Sequence, residues 1–329
     1  MAPDPDPKEP VVVVHPKVYA PLSPYVLTLL MPFSVFGLLA RLGLRALATY
    51  SGQSIFSLAY VQAVGCLLMG FCLALKEPFG RYYPPAYTAL VTGFCGSLTT
   101  FSSWQLDVFK SWVNIDGDHR SGLSDFMDGL GKSVFTMSIS MSSLFFGMFL
   151  AGQTSPYFQP AAPPSKLLRR SVSALAVCTY FATLPAYFLL PASFRHQATA
   201  ALLFSFPGTL TRYLLGIALN PIHPTFPLGT FAANAFGTAL LGALRVLQSM
   251  SAVPASRRAC ALLQGLADGY CGCLTTISTF AAELAVLKGW HKWRYGLATW
   301  AAGQLLLCCI FGALLWAKDI QRHATCVFD

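Results

Sequence analysis

Charge is what this chain has least of. Only 11% of its 329 residues are Asp, Glu, Lys or Arg, against 55% hydrophobic, where soluble domains carry roughly a quarter charged. That deficit excludes an ordinary soluble protein, and a mean hydropathy of +0.56 places the chain in a membrane. Metal-type cysteine patterns are missing too. The 10 cysteines run from Cys66 to Cys326 with no C-x-x-C pair. Most sit in apolar runs and read as packing residues, so neither a zinc site nor a disulfide framework is expected. The histidines (His15, His119, His196, His223, His291, His323) fall in polar or terminal stretches, leaving none for a proton relay through the bilayer. Acids are scarce inside apolar runs: Glu77, Asp107, Glu283 and Asp319 lie at or near their ends, and Asp268 opens one. No paired intramembrane carboxylate is therefore expected, which argues against a proton antiporter. No P-loop and no nucleophile–base constellation occurs, so no enzyme is indicated. The net charge of +9 is scattered between apolar runs; it reads as loop anchors at lipid headgroups, with no nucleic-acid partner.

What is present is length in apolar runs. A helix needs about 20 apolar residues to cross the hydrocarbon, and nine stretches qualify, near 26–47, 55–75, 86–109, 131–151, 168–190, 198–219, 227–247, 260–287 and 296–316. Aromatic and basic residues gather at their ends, as in Arg81-Tyr82-Tyr83 and Trp290-His291-Lys292-Trp293, matching interfacial anchors. Residues 1–24 are polar and proline-rich, without the basic and apolar regions of a signal peptide; they read as a disordered tail.

Three motifs recur in the same order. Gly37-x-x-x-Arg41 matches Gly208-x-x-x-Arg212. Gln62-Ala-Val-Gly65 matches Asn234-Ala-Phe-Gly237. Gly93-Phe-Cys-Gly96-Ser-Leu98-Thr99-Thr100-Phe101-Ser102-Ser-Trp104 matches Gly269-Tyr-Cys-Gly272-Cys-Leu274-Thr275-Thr276-Ile277-Ser278-Thr-Phe280. The expected fold is an all-α integral membrane protein of two four-helix repeats (25–152 and 197–318), with a linker (153–196) holding one transmembrane helix and a C-terminal tail (319–329). Four spans plus one crossing helix make the repeats inverted, an arrangement that places sites near the midplane at interrupted helices. Basic residues divide almost evenly between the two sides and set no orientation.

The strongest site signal is the Gly-x-x-Gly-x-Leu-Thr-Thr core. Two glycines, two threonines and a serine make a poor helix, and the hydroxyls can satisfy an opened backbone. Asn234 and Gln62 bring amides into apolar spans, as pore donors or as interhelical glue. Arg41 and Arg212 lie toward the interior of spans, either snorkelling or drawing anions into a vestibule. Phe101 and Phe280 occupy the first and second aromatic positions of the aligned motif, where ring edges can face an anion; their counterparts are Ile277 and Trp104.

With Gly229-Thr230-x-x-x-Asn234-x-x-Gly237 added, these motifs resemble, in order, those of the CrcB-like fluoride channel and exporter family in its fused two-domain form. The resemblance covers about 25–152 and 197–318. It implies an antiparallel intramolecular pseudo-dimer, acting as a single chain in the plasma membrane, that passes fluoride passively. It also implies a structural sodium ion held by backbone carbonyls of Gly96, Thr99, Gly272 and Thr275. Implied pathway residues are Asn234, Phe101, Phe280, Thr276, Thr100, Tyr295 and Thr299; the family's pairs carry two pores, and the departures at Gln62, Ile277 and Trp104 lead us to expect that the second pathway here is degenerate. The competing expectation is an ion-coupled secondary transporter of a small solute, which should need an intramembrane carboxylate. A structural protein of the bilayer is the third class.

Overall fold

The computed structural model describes residues 19–51, 53, 55–117, 121–154, 163–250 and 255–326. Residues 1–18 of the expected tail, with His15, lie outside the described residues, as does His119.

The first half opens with α1 (Pro24–Ala48), whose proline at the first turn lacks only an N–H that would be unpaired there anyway. After α2 (Ser57–Ala74), the short α3 (Lys76–Tyr82) turns the chain. Next, α4 (Pro84–Thr88) runs through a π-wound stretch, Ala89–Cys95, into the single turn α5 (Gly96–Leu98). The chain breaks and resumes as α6 (Phe101–Trp112), and the half ends in α7 (Gly122–Thr154), 33 residues long. The linker helix is α8 (Lys166–Phe181) followed by α9 (Thr183–Leu189). The second half repeats the order: α10 (Ala200–Leu219), α11 (Leu228–Ser249), α12 (Arg257–Gly265), a π-wound Leu266–Cys271, the single turn α13 (Gly272–Leu274), then α14 (Ile277–Val286), α15 (Trp290–Leu307) and α16 (Ala313–Trp316).

Among the described residues, seven helical segments are long and apolar enough to cross a membrane: Pro24–Ala48, Ser57–Ala74, Gly122–Thr154, Lys166–Leu189, Arg195–Ile222, Leu228–Ser249 and Trp290–Trp316. They correspond to seven of the nine expected stretches. The other two, 86–109 and 260–287, are interrupted at Thr99–Thr100 and Thr275–Thr276 and so form no continuous helix of that length.

Packing repeats with the halves exchanged. α1 lies on Ala89–Cys95 as α10 lies on Leu266–Cys271; α2 packs on α7 as α11 packs on α15. Across the halves α14 reaches α2 and α7, α6 reaches α11 and α15, and α1 crosses α10. The linker helix stays outside, with 11% of its apolar window buried against 50% for α1. Leu175, Phe181 and Leu189 on it, like Phe145, Phe146 and Phe149 on α7, are exposed, as lipid-facing side chains are.

One expectation is corrected at the C-terminal end. The cysteines are not all packing residues, because Cys260 and Cys326 form a disulfide. Their 66-residue separation carries no spacing signal, so only the fold reveals the pair. The C-terminal residues through Cys326 are also docked. Gln321 N–H donates to the Ser249 carbonyl at 2.9 Å and Thr325 N–H to the Gln248 carbonyl at 2.8 Å, while Ile320 is buried beside Ile115, Leu244 and Phe311.

Candidate functional site at the crossed helix breaks

Each break is two extended residues between helices. Thr99 (φ −85°, ψ 157°) and Thr100 (φ −147°, ψ 128°) match Thr275 (φ −92°, ψ 149°) and Thr276 (φ −150°, ψ 133°). Opening a helix frees backbone groups that lipid cannot solvate, and threonine and serine hydroxyls replace the lost partners. Thr99 Oγ1 donates to the Cys95 carbonyl at 3.2 Å and accepts from Ser278 N–H at 3.0 Å. Thr275 Oγ1 donates to the Cys271 carbonyl at 2.9 Å and accepts from Ser102 N–H at 3.1 Å. Every hydroxyl thus serves its own break and the other half's.

The breaks meet. Thr99 and Thr276 hydroxyls are 3.2 Å apart and Thr100 and Thr275 hydroxyls 3.1 Å apart, with all four residues buried. The structure therefore brings Thr99, Thr100, Thr275 and Thr276 into one cluster. Outside the helical ladders, no hydrogen bond among the described residues reaches the carbonyl oxygens of Gly96, Thr99, Gly272 or Thr275. Oxygens of that kind suit a hard cation. No group of three or more His, Cys, Asp or Glu able to hold a metal occurs among the described residues.

The two amides brace the breaks unequally. Asn234 closes a two-point contact: its Oδ1 accepts from Thr276 N–H at 2.9 Å and its Nδ2 donates to the Thr276 carbonyl at 3.3 Å. Gln62, one methylene longer, donates to the Thr100 carbonyl at 2.7 Å but leaves Oε1 buried without a partner. Gln62 therefore sits at the residue preceding Phe101, and Asn234 at the residue preceding Ile277.

Arg41 and Arg212, expected to snorkel or to line a vestibule, do neither. They are 3% and 5% exposed and each crosses to the other half. Arg212 donates from Nε to the Cys273 carbonyl at 2.9 Å and from Nη2 to the Thr92 carbonyl at 2.8 Å. Arg41 Nη2 donates to the Asp268 carbonyl. A Cβ on Gly272 would strike the Arg41 guanidinium, and one on Gly96 the Arg212 guanidinium. Backbone carbonyls beside the breaks accept from both guanidiniums, and through Asp268 and Thr92 the side chains tie one half to the other.

The aromatics lie beside the hydroxyl cluster. Phe101 and Phe280 meet edge to face at 5.7 Å between centroids, and Phe101 also meets Trp104 at 5.4 Å. Ile277 and Trp104 are buried in the same apolar cluster. The Tyr295 ring lies tilted against Phe280 at 5.2 Å between centroids, and Thr299, one turn on, is spent locally, donating to the Tyr295 carbonyl at 2.7 Å.

Sequence reasoning missed what Tyr295 holds. Its hydroxyl donates to Glu283 Oε2 at 2.6 Å, and Thr230 donates to Glu283 Oε1 at 2.6 Å. Asn220 approaches the same oxygen at 3.4 Å and caps α11 by accepting from Gly229 N–H at 2.7 Å. Glu283 lies near the end of α14 (Ile277–Val286), as expected, but it is partly buried and both of its oxygens accept from hydroxyls. A signal was available: Ile277, Phe280 and Glu283 are spaced i, i+3, i+6 on one helix face, and Asp107 holds the matching place after Phe101 and Trp104. Asp107 lines a cavity of about 190 Å³ with Lys110, Ser111, Asp116, Asp128 and Lys132 at the far end of α6.

Two like halves, each with a span broken at threonines, interlocked through those breaks and jacketed by apolar helices, define a polytopic membrane protein with its polar centre at the junction. The family described as CrcB-like protein, Camphor Resistance (CrcB), matches residues 28–150 and again 199–315. Fluoride export protein 1 of Neurospora crassa is 33% identical, covering 89% of this chain and 67% of that protein. Fluoride export protein 1 of Schizosaccharomyces pombe is 33% identical over 86% of this chain and 94% of its own length. The fluoride-specific ion channel FluC of Aromatoleum aromaticum is 42% identical over 124 residues, 37% of this chain but 88% of itself. No solved structure matches. The chain belongs to the CrcB-like family, with the family unit present twice.

Proposed function

We propose that this chain is a passive, fluoride-selective channel of the plasma membrane, working as a single chain whose inverted halves form the pathway between them. Fluoride is small and strongly hydrated, so a pore must replace its water with O–H and N–H donors and ring edges, without a ring of fixed charge that would hold it. The observation that carries the reading is the edge-to-face meeting of Phe101 and Phe280 beside the crossed Thr99–Thr276 and Thr100–Thr275 hydroxyls. The proposed pathway runs past Phe101, Phe280, Thr100 and Thr276, with Asn234 bracing the break and Tyr295 and Thr299 along α15. Gln62, Ile277 and Trp104 belong to a second route that does not conduct. The carbonyls of Gly96, Thr99, Gly272 and Thr275 would hold a sodium ion, whose positive charge would tie the two breaks together.

In a cell such a channel discharges fluoride that enters as neutral HF and dissociates inside, the membrane potential driving the anion out. Purified protein in liposomes, with a potassium gradient and valinomycin, should release fluoride to an electrode. Release no faster than from empty vesicles ends the proposal. Glu283 is the one observation that favours the competing ion-coupled transporter, since that class needs a membrane carboxylate. Saturable flux accompanied by proton movement would select it, and unaccompanied, potential-driven flux excludes it.

A further inference from the structure

The Cys260–Cys326 disulfide carries a direction across the membrane that the basic residues do not. Disulfides persist in oxidising compartments and are rare where thiols are kept reduced. This pair is favoured by the fold around it. Cys326 ends a strap that is independently docked, through Gln321 N–H to the Ser249 carbonyl, Thr325 N–H to the Gln248 carbonyl, and Thr325 Oγ1 to the Met250 carbonyl at 2.9 Å. Cys260 lies on the first turn of α12, fully buried, with a Cα–Cα distance of 5.6 Å to Cys326, inside the usual range for a bridge. Among the described residues the first half has no such clasp, for the corresponding helix α4 begins at Pro84.

The strap also marks one end of the molecule. His323 lies 3.8 Å from Asp116, and Ile320 packs with Ile115, so the strap borders the cavity of Asp107, Lys110, Ser111 and Lys132. The Glu283–Tyr295–Thr230 cluster belongs to the opposite end. Trp290–Trp316, the 27-residue helical run between the two, is about 40 Å long at the helical rise per residue.

We propose that Cys260 and Cys326 form a structural disulfide on the exoplasmic side, so that the strap and the Lys110–Lys132 cavity face out and the Glu283 cluster faces the cytosol. Fluoride leaving the cell would meet the Glu283 end first. Formation is by thiol–disulfide exchange with an oxidised dithiol oxidoreductase of the secretory lumen. The two thiols give up two protons and two electrons as their sulfurs join, and the oxidoreductase disulfide opens to its dithiol.

The full-length chain in its cells tests this without reference to the ion it carries. After alkylation with N-ethylmaleimide before lysis, non-reducing peptide mapping should recover Cys260 and Cys326 as one linked peptide. In Cys260→Ser, a membrane-impermeant maleimide applied to intact cells should label Cys326. Recovery of both cysteines alkylated in the wild type, or labelling of Cys326 only after permeabilisation, overturns the proposal. If Cys260→Ser fails to fold, an N-glycosylation sequon on a short C-terminal extension of the wild-type chain decides. Gain of one glycan is expected; absence of that glycan, with one gained at an N-terminal sequon instead, reverses the assignment.

Discussion

Gly96 and Gly272 are held to hydrogen-sized side chains by arginines of the other half. In an ordinary helix Gly→Ala gains about 1 kcal/mol, and Gly43 on α1, where a Cβ would meet nothing, should show that gain or no change. At Gly96 the new methyl would press on the buried Arg212 guanidinium, which cannot retreat without leaving the Cys273 and Thr92 carbonyls. Gly96→Ala should therefore lose about 1–3 kcal/mol, as overpacked cores do, read as a fall in melting temperature in detergent beside a Gly43→Ala control. Equal melting temperatures for the two would show that the arginine tie is slack. Glu283 makes a second case. Glu283→Leu strands the Tyr295 and Thr230 hydroxyls that donate to it at 2.6 Å, a loss of about 1–3 kcal/mol for each unsatisfied group. Glu283→Gln keeps an acceptor and should retain most of the stability. If Gln and Leu melt alike, the hydroxyls are finding other partners.

At the scale of elements, the breaks define the molecule, and they were legible because a poor helix former inside an apolar run has few alternatives to opening. The Thr-Thr pairs, the recurrence of the motif and seven long apolar helices all follow from local composition and spacing. The partnerships were not legible. Nothing in the sequence says that Thr275 Oγ1 accepts from Ser102 N–H, that Arg41 turns to the other half, or that Cys260 meets Cys326, because these depend on how two broken helices cross. Thr275 tests whether the crossing needs its hydroxyl. Thr275→Val keeps the shape and the backbone bond from its own N–H to the Cys271 carbonyl but removes the acceptor of Ser102 N–H, leaving that buried donor unpaired. A loss of about 2 kcal/mol is expected, and Thr275→Ser should restore it. Failure of serine to rescue would mean that the threonine methyl, not its hydroxyl, holds the break.

The whole molecule is two halves that share a backbone plan but not a set of side chains. Phe101 and Phe280 meet edge to face, whereas the matching positions hold Ile277, which has no ring edge, and Trp104, whose indole N–H is bound to the Lys132 carbonyl at 3.2 Å. One residue on, Gln105 fills the seam between α6 and α15. Gln304 Nε2 donates to its Oε1 at 2.7 Å, and its side chain lies against Gly303; Ala281 holds that place in the other half. A route with isoleucine at its first ring position and an indole N–H already engaged should not conduct, and repairing one residue should not open it. Phe280→Ile, which removes one of the two ring edges from the first route, should cut fluoride release from liposomes by about tenfold or more, corresponding to ~1.4 kcal/mol in the barrier. Ile277→Phe should leave release within about twofold of the wild type, because Trp104 and Gln105 still fill the second route and the first is untouched, a change worth less than ~0.5 kcal/mol. Ile277→Phe in the Phe280→Ile background separates the two ideas: flux that stays low supports one conducting route, and flux that recovers shows the halves to be interchangeable.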